Sequence, residues 1–127
     1  MMKQKIGVIG LGIMGSAISA NLIKADFSVI GYDIQPECIK TLEGEGGTGA
    51  ASVREVAEAA EIVITSLPSV TALQNVVSGP DGLLAADKKG LVVIEVSTFP
   101  IEAKQEAYGL LENAGIAMLD CPLSGTG

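Results

Sequence analysis

Residues 5–15 read Lys5-Ile-Gly-Val-Ile-Gly-Leu-Gly-Ile-Met-Gly15, a short apolar run that passes into three glycines at the spacing G-x-G-x-x-G. Lys5 to Ile9 has the length and Val/Ile content of a strand. From Met14 the apolar residues Met14, Ile18, Leu22 and Ala25 recur at helical spacing, with Ser16, Ser19 and Lys24 turned outward, so a helix follows at once and ends near Asp26. In a strand–turn–helix of this kind each glycine has a physical task. Gly10 allows the tight turn, Gly12 lets a ligand approach the main chain where a Cβ would stand, and Gly15 lets helix and strand pack closely. The N–H groups of the first helical turn, here those of Ile13 and Met14, have no intrahelical acceptor, and the helix dipole adds about half a positive charge. The segment Gly10-Leu11-Gly12-Ile13-Met14-Gly15 can therefore hold a pyrophosphate without Lys or Arg. A tight connection that binds nothing would account equally for the glycines taken alone.

Outward from this stretch, Val/Ile-rich runs alternate with helical patterns along the whole chain, the rhythm of repeated βαβ units. Phe27 to Tyr32 is the second strand, and Pro36 sits in the first turn of a helix running to about Glu43, which Gly44 to Gly49 breaks. A poorly marked third strand falls near Gly47 to Ala51. Ser52 with Glu55 makes a capping box for a helix through Ala60, and Ile62 to Ser66 reads as a strand buried on both faces, ended by Leu67 and Pro68. Ser69 can cap a helix to about Val77, Gly79 to Gly82 turns the chain, Gly82 to Lys89 adds a helical turn, and Leu91 to Val96 is the next strand. Pro100 opens a helix that Gly115 closes, ahead of a final strand from Ile116 to Asp120. The expectation is one α/β domain over residues 1–127: a doubly wound, mainly parallel sheet of the Rossmann kind, with about six strands and helices on both faces.

Composition narrows the partners. Of 127 residues 48% are apolar and only 3% aromatic, so a single core must be built from Val, Ile, Leu, Ala and Met. The net charge is −7, with no His and with Arg54 the lone arginine, so no basic face exists to neutralise a nucleic acid. Cys38 and Cys121 form no C-x-x-C pair; no metal site is expected, and a reduced, cytoplasmic setting is the default. No apolar run approaches the roughly 18 residues of a membrane helix uninterrupted. Basic Met1 to Lys5, apolar Ile6 to Ile18 and small Ala17 to Ala20 imitate a secretory signal peptide, but glycines at 7, 10, 12 and 15 punctuate the segment and mark it as structural.

Asp33 ends the second strand, close to the position roughly twenty residues beyond the glycines where a carboxylate accepts both hydrogen bonds of an adenosine ribose diol. A helix cap is the plainer reading of the same residue. A 2′-phosphate would meet repulsion there, and Ile34, Gln35 and Pro36 offer no cation, so NAD is expected over NADP. Ser66, Leu67 and Pro68 follow the fourth strand, and Ser97 and Thr98 the fifth, on the sheet edge where a ligand crevice opens. Helix capping is an equal claim on Ser69, Ser97 and Thr98.

These residues resemble the β-hydroxyacid dehydrogenase family, which includes 3-hydroxyisobutyrate, 6-phosphogluconate and tartronate semialdehyde enzymes. The likeness is carried by Ile6 to Gly15 continuing through Asn21-Leu-Ile-Lys-Ala25, by Ser66-Leu67-Pro68 with Ser97-Thr98, and by Asp120-Cys-Pro-Leu-Ser-Gly-Thr-Gly127. It implies nicotinamide-side contacts from Ser66, Leu67, Pro68, Ser97 and Thr98, and a substrate loop in which Ser124, Gly125 and Thr126 bind a hydroxyacid carboxylate. Many members carry Gly where Thr126 stands, and Ser124-Gly-Thr-Gly127 looks more like the threonate-type sugar-acid dehydrogenases. The family continues into a mostly helical domain that supplies a catalytic Lys and completes a homo-oligomer, so the resemblance implies a general acid/base beyond Gly127 and an inactive 127-residue segment. Lys88, Lys89 and Lys104 precede the substrate loop and are expected to be solvated surface residues.

The implied function is hydride transfer between nicotinamide and a small 3-hydroxyacid. An imine-reductase-like enzyme would share the same scaffold. A non-catalytic NAD-sensing module would share Gly10 to Asp33 without needing the Ser124 loop, and an S-adenosylmethionine methyltransferase would also place an acid after its second strand.

Overall fold

The computed structural model describes residues 4–123. Six strands, β1 (Lys5–Ile9), β2 (Ser28–Tyr32), β3 (Thr48–Gly49), β4 (Ile62–Thr65), β5 (Val92–Glu95) and β6 (Ala117–Asp120), form one sheet in the order β3-β2-β1-β4-β5-β6, every pair parallel. Between them run α1 (Ile13–Lys24), α2 (Pro36–Gly44), α3 (Val53–Ala59), α4 (Val70–Ser78), a 3₁₀ turn (Leu84–Ala86) and α5 (Ile101–Asn113). From β1 the chain moves one way to β2 and β3, then crosses back to lay β4 on the other side of β1. That reversal opens a crevice beyond the carboxyl ends of β1 and β4.

The helix ends follow from local chemistry. Ser52 Oγ accepts from the Glu55 amide at 3.1 Å and caps α3; Ser69 Oγ accepts from the Ala72 amide at 3.1 Å and caps α4. Ser52→Ala is expected to cost about 1 kcal/mol, read as a lower denaturation midpoint with an unchanged slope. Gly115, at φ +79°, stands just past α5, and the Ile116 amide returns to the Leu111 carbonyl at 2.9 Å, closing the helix as expected.

The strands divide two cores between them. Ile9, Ile30, Val63, Val93 and Met118 face α3, α4 and α5, which contribute Val56, Leu73, Val77, Ala107 and Leu111. On the opposite side Val8 and Val29 meet Leu11 and Leu42, with Leu22 and Ile39 packed against them.

Three local expectations need correction. β4 is not buried on both faces: Val63 and Thr65 are buried, whereas Ile62 and Ile64 are only partly covered. The reason is that α1 and α2 pack on β1, β2 and β3, and do not extend over β4 and β5. Ser19 does not face outward; it is buried beside Gly15 on the seam of α1, and its Oγ donates to the Gly15 carbonyl at 2.8 Å. Gly15 and Ser19, one turn apart, are the buried residues of α1. The third strand is confined to Thr48–Gly49.

Candidate dinucleotide site

The turn after β1 is pinned from both sides by backbone. The Gly10 amide donates to the Tyr32 carbonyl at 3.0 Å. Gly10 has φ +93°, and a Cβ on it would stand 1.9 Å from the Ser66 carbonyl oxygen; a Cβ on Gly15 would stand 1.8 Å from the Gly10 oxygen. Two of the three glycines are thus demanded by the protein's own packing. Gly12 is not: its φ is −71°, outside the left-handed region, and a Cβ there would meet nothing within 4 Å. The packing that demands Gly10 and Gly15 does not demand Gly12, where, as the helix N-cap, Gly is favoured but not required. The space left open at position 12 lets a ligand lie against the main chain.

Gly12 is the N-cap of α1, and the first helical bond runs from the Ser16 amide to its carbonyl at 2.8 Å. Among the described residues no acceptor meets the Ile13 and Met14 amides, and the Ile13 side chain is 96% exposed. Leu11 behaves differently. Its side chain is in the core, and its amide donates to Asp33 Oδ2 at 2.8 Å. Asp33 Oδ1 accepts from the Gln35 amide at 2.9 Å. Asp33 is therefore not the cap of α2, whose N-cap is Gln35 with no side-chain bond. Each carboxylate oxygen spends one lone pair on the main chain and keeps acceptor capacity for a ligand.

These parts meet in one cleft of about 810 Å³, a size that suits a cofactor. Gly10, Gly12, Ile13, Met14, Asp33, Ser66, Leu67 and Pro68 all line it. Ser97 and Thr98 do not. Ser97 is buried behind the wall with its Oγ accepting from the Leu67 amide at 2.8 Å, and Thr98 is exposed outside it. Neither caps α5, whose N-cap is Pro100. Ser124, Gly125 and Thr126 lie outside the described residues.

Sequence reasoning passed over Thr71 and Asn75 of α4 and gave Ile34 no part beyond the lack of a cation, though all three line the cleft. Ile34 is 84% exposed directly after Asp33, and an apolar residue in a turn next to a ligand-facing acid is the signal that could have found it. Cys38 also lines the cleft; burial, and then the Asp33 and Glu37 carboxylates, push its thiol up.

Two lysines depart from the solvated role expected of them. Lys104 is buried, pairs with Asp120 and donates to the Ser97 carbonyl. Lys88 Nζ donates to the Ala60 carbonyl at 2.7 Å and pairs with Glu61 at 3.4 Å. In both cases the long apolar stem crosses a seam and the ammonium finds carbonyls at a strand or helix end. Lys89 is exposed, as expected.

A doubly wound sheet, an anion cradle at the first helix and an acid after the second strand define a dinucleotide-binding α/β domain. The family of the NAD binding domain of 6-phosphogluconate dehydrogenase matches residues 5–127, and the chain belongs to it. The mitochondrial 3-hydroxyisobutyrate dehydrogenase of Mus musculus is 38% identical over 123 residues, which are 97% of this chain and 37% of that protein. The structure of Mycobacterium tuberculosis 3-hydroxyisobutyrate dehydrogenase with L-serine superposes with a TM-score of 0.88 at 32% identity, covering 98% of this chain and 42% of that one. Psf3 in complex with NADP+ and 2-OPP does so with a TM-score of 0.89 at 29% identity, covering 94% and 43%. Dehydrogenases named for L-serine and L-threonate are also relatives. The chain spans well under half the length of these proteins.

Proposed function

We propose that the cleft binds NAD in preference to NADP and that the chain is the cofactor-holding part of an oxidoreductase acting on a small 3-hydroxyacid. The observation that carries this reading is the cleft in which Gly12, the Asp33 carboxylate and the Ile13 and Met14 amides, unpartnered among the described residues, meet. The pyrophosphate would lie on the Ile13 and Met14 amides, with Gly12 keeping a side chain out of its way and Gly10 and Gly15 letting turn, helix and sheet pack closely beneath it. The ribose diol would donate to Asp33, with the exposed Ile34 beside it as apolar surface for the adenine. Ser66, Leu67 and Pro68 would form the wall on the nicotinamide side, with Ser97 acting from behind it. When bound, the nicotinamide supplies a hydride acceptor or donor; this chain's residues bind it, orient it and exclude water from one face.

The preference for NAD rests on charge. A 2′-phosphate carries close to two negative charges at neutral pH and would face the Asp33 carboxylate. Gln35 and Pro36 bring no cation to offset it. The relatives' names support a hydroxyacid substrate, and Ser124, Gly125 and Thr126 are proposed to receive its carboxylate. The general acid/base is proposed to be a Lys outside this sequence, since Lys88 and Lys104 are committed to structural partners.

Calorimetric titration of the purified 127-residue chain tests this. NAD is expected to bind more tightly than NADP, and no turnover of 3-hydroxyisobutyrate or threonate is expected. Absence of any NAD uptake at millimolar ligand overturns the site, tighter NADP binding overturns the preference, and robust oxidation overturns the placement of the base.

A further inference from the structure

A group of buried polar side chains stands behind the Ser66–Leu67–Pro68 wall of the cleft and touches none of the proposed ligand. Glu95, the last residue of β5, is 0% exposed, and a buried carboxylate is costly unless donors meet it. Two do: Thr65 Oγ1 donates to Oε2, and the Ser97 amide donates to Oε1. Ser97 Oγ accepts from the Leu67 amide at 2.8 Å, and the Ser97 carbonyl accepts from Lys104 Nζ, which also pairs with Asp120 at the end of β6. Ser97 is thus held from three directions, and through it β4, β5 and β6 are joined just beyond their carboxyl ends.

We propose that Glu95 and Lys104 are positioning residues which, through Ser97, fix the Ser66–Leu67–Pro68 segment against the nicotinamide half of the cofactor. The inference rests on the dinucleotide reading of the cleft. Asp33 places the adenosine half over β2, so the rest of a dinucleotide extends the opposite way along the strand order, over β4. Removing the Glu95 carboxylate leaves the buried Ser97 amide without an acceptor and frees the Ser97 hydroxyl to shift, which releases the Leu67 amide. The loss therefore falls on the nicotinamide half alone.

The test titrates the chain with NAD and with ADP, which carries the adenosine and pyrophosphate but no nicotinamide, and follows hydrogen exchange at the Leu67 amide. Glu95→Ala is expected to weaken NAD binding about threefold to tenfold, leave ADP binding unchanged and speed Leu67 exchange. Glu95→Gln is expected to restore all three, because the carboxamide accepts from the Ser97 amide and donates to a Thr65 hydroxyl turned to accept. Lys104→Met keeps the stem, is expected to shift NAD binding and Leu67 exchange in the same sense, and decides the matter if Glu95→Ala does not fold. Equal losses of NAD and ADP affinity, unchanged Leu67 exchange, a Gln variant as impaired as Ala, or wild-type protein that binds NAD no tighter than ADP would each overturn the proposal. If the wild type takes up neither ligand, the dinucleotide reading fails by itself, and Leu67 exchange still decides whether Glu95 and Lys104 hold the segment.

Discussion

Gly12→Ala is expected to weaken NAD binding by about a hundredfold while lowering the melting temperature only slightly. The affinity loss corresponds to about 2.7 kcal/mol, the scale of one or two hydrogen bonds to a charged group broken when a methyl holds the pyrophosphate away from the Ile13 and Met14 amides. The cost to stability is confined to the weaker N-capping of Ala, because a Cβ at position 12 meets no protein atom within 4 Å and the backbone there has φ −71°. Gly15→Ala should behave in the opposite way. Its Cβ would fall 1.8 Å from the Gly10 carbonyl oxygen, so the helix must move off the turn or the chain must fail to fold. Calorimetry and thermal melts on the two variants check the contrast. A Gly12→Ala protein with wild-type affinity would remove the central support for a ligand at this turn.

Asp33→Ala is expected to lower NAD affinity by about tenfold to a hundredfold and to lower NADP affinity far less, so that discrimination between the two collapses. One part of the loss is the pair of ribose hydrogen bonds. Another is the tether at 2.8 Å from the Leu11 amide, whose removal loosens the glycine turn itself. Asp33→Asn can keep the Leu11 bond through its carbonyl oxygen, but its NH₂ cannot accept from the Gln35 amide, so an intermediate loss is expected. Parallel titrations with both cofactors decide it; an unchanged NAD-to-NADP ratio in Asp33→Ala would show that the carboxylate does not discriminate.

Much of this was legible in the sequence because its signals are local. The glycine spacing after a Val/Ile run, Ser52 and Ser69 before helices, Pro36 at a helix start and Gly115 past a helix end each act within a few residues. They placed the six strands and five helices with boundaries off by a residue or two. What stayed hidden depends on partners distant in sequence. Helical periodicity put Ser19 outside, yet it is buried one turn after Gly15, its hydroxyl satisfied by the Gly15 carbonyl. Lys104 reads as a surface cation until Asp120 and the Ser97 carbonyl are brought to it by α5 and β6. Ser97 looked like a ligand contact, and only the β4–β5 pairing shows its hydroxyl engaged with Leu67. The apolar run of β4 could not reveal that no helix among the described residues packs on one of its faces, because coverage is a property of the crossovers.

The turn after β1 rests directly on the Ser66 carbonyl, and α1 rests directly on that turn, with no side chain interposed at either contact. The bottom of the crevice is peptide stacked on peptide, and substitution has almost nothing there to alter without breaking the stack. Any attempt to re-aim the protein toward another nucleotide must therefore work on the rim, where the exposed Ile34 and Asn75 can be exchanged without touching the bonds that hold the turn.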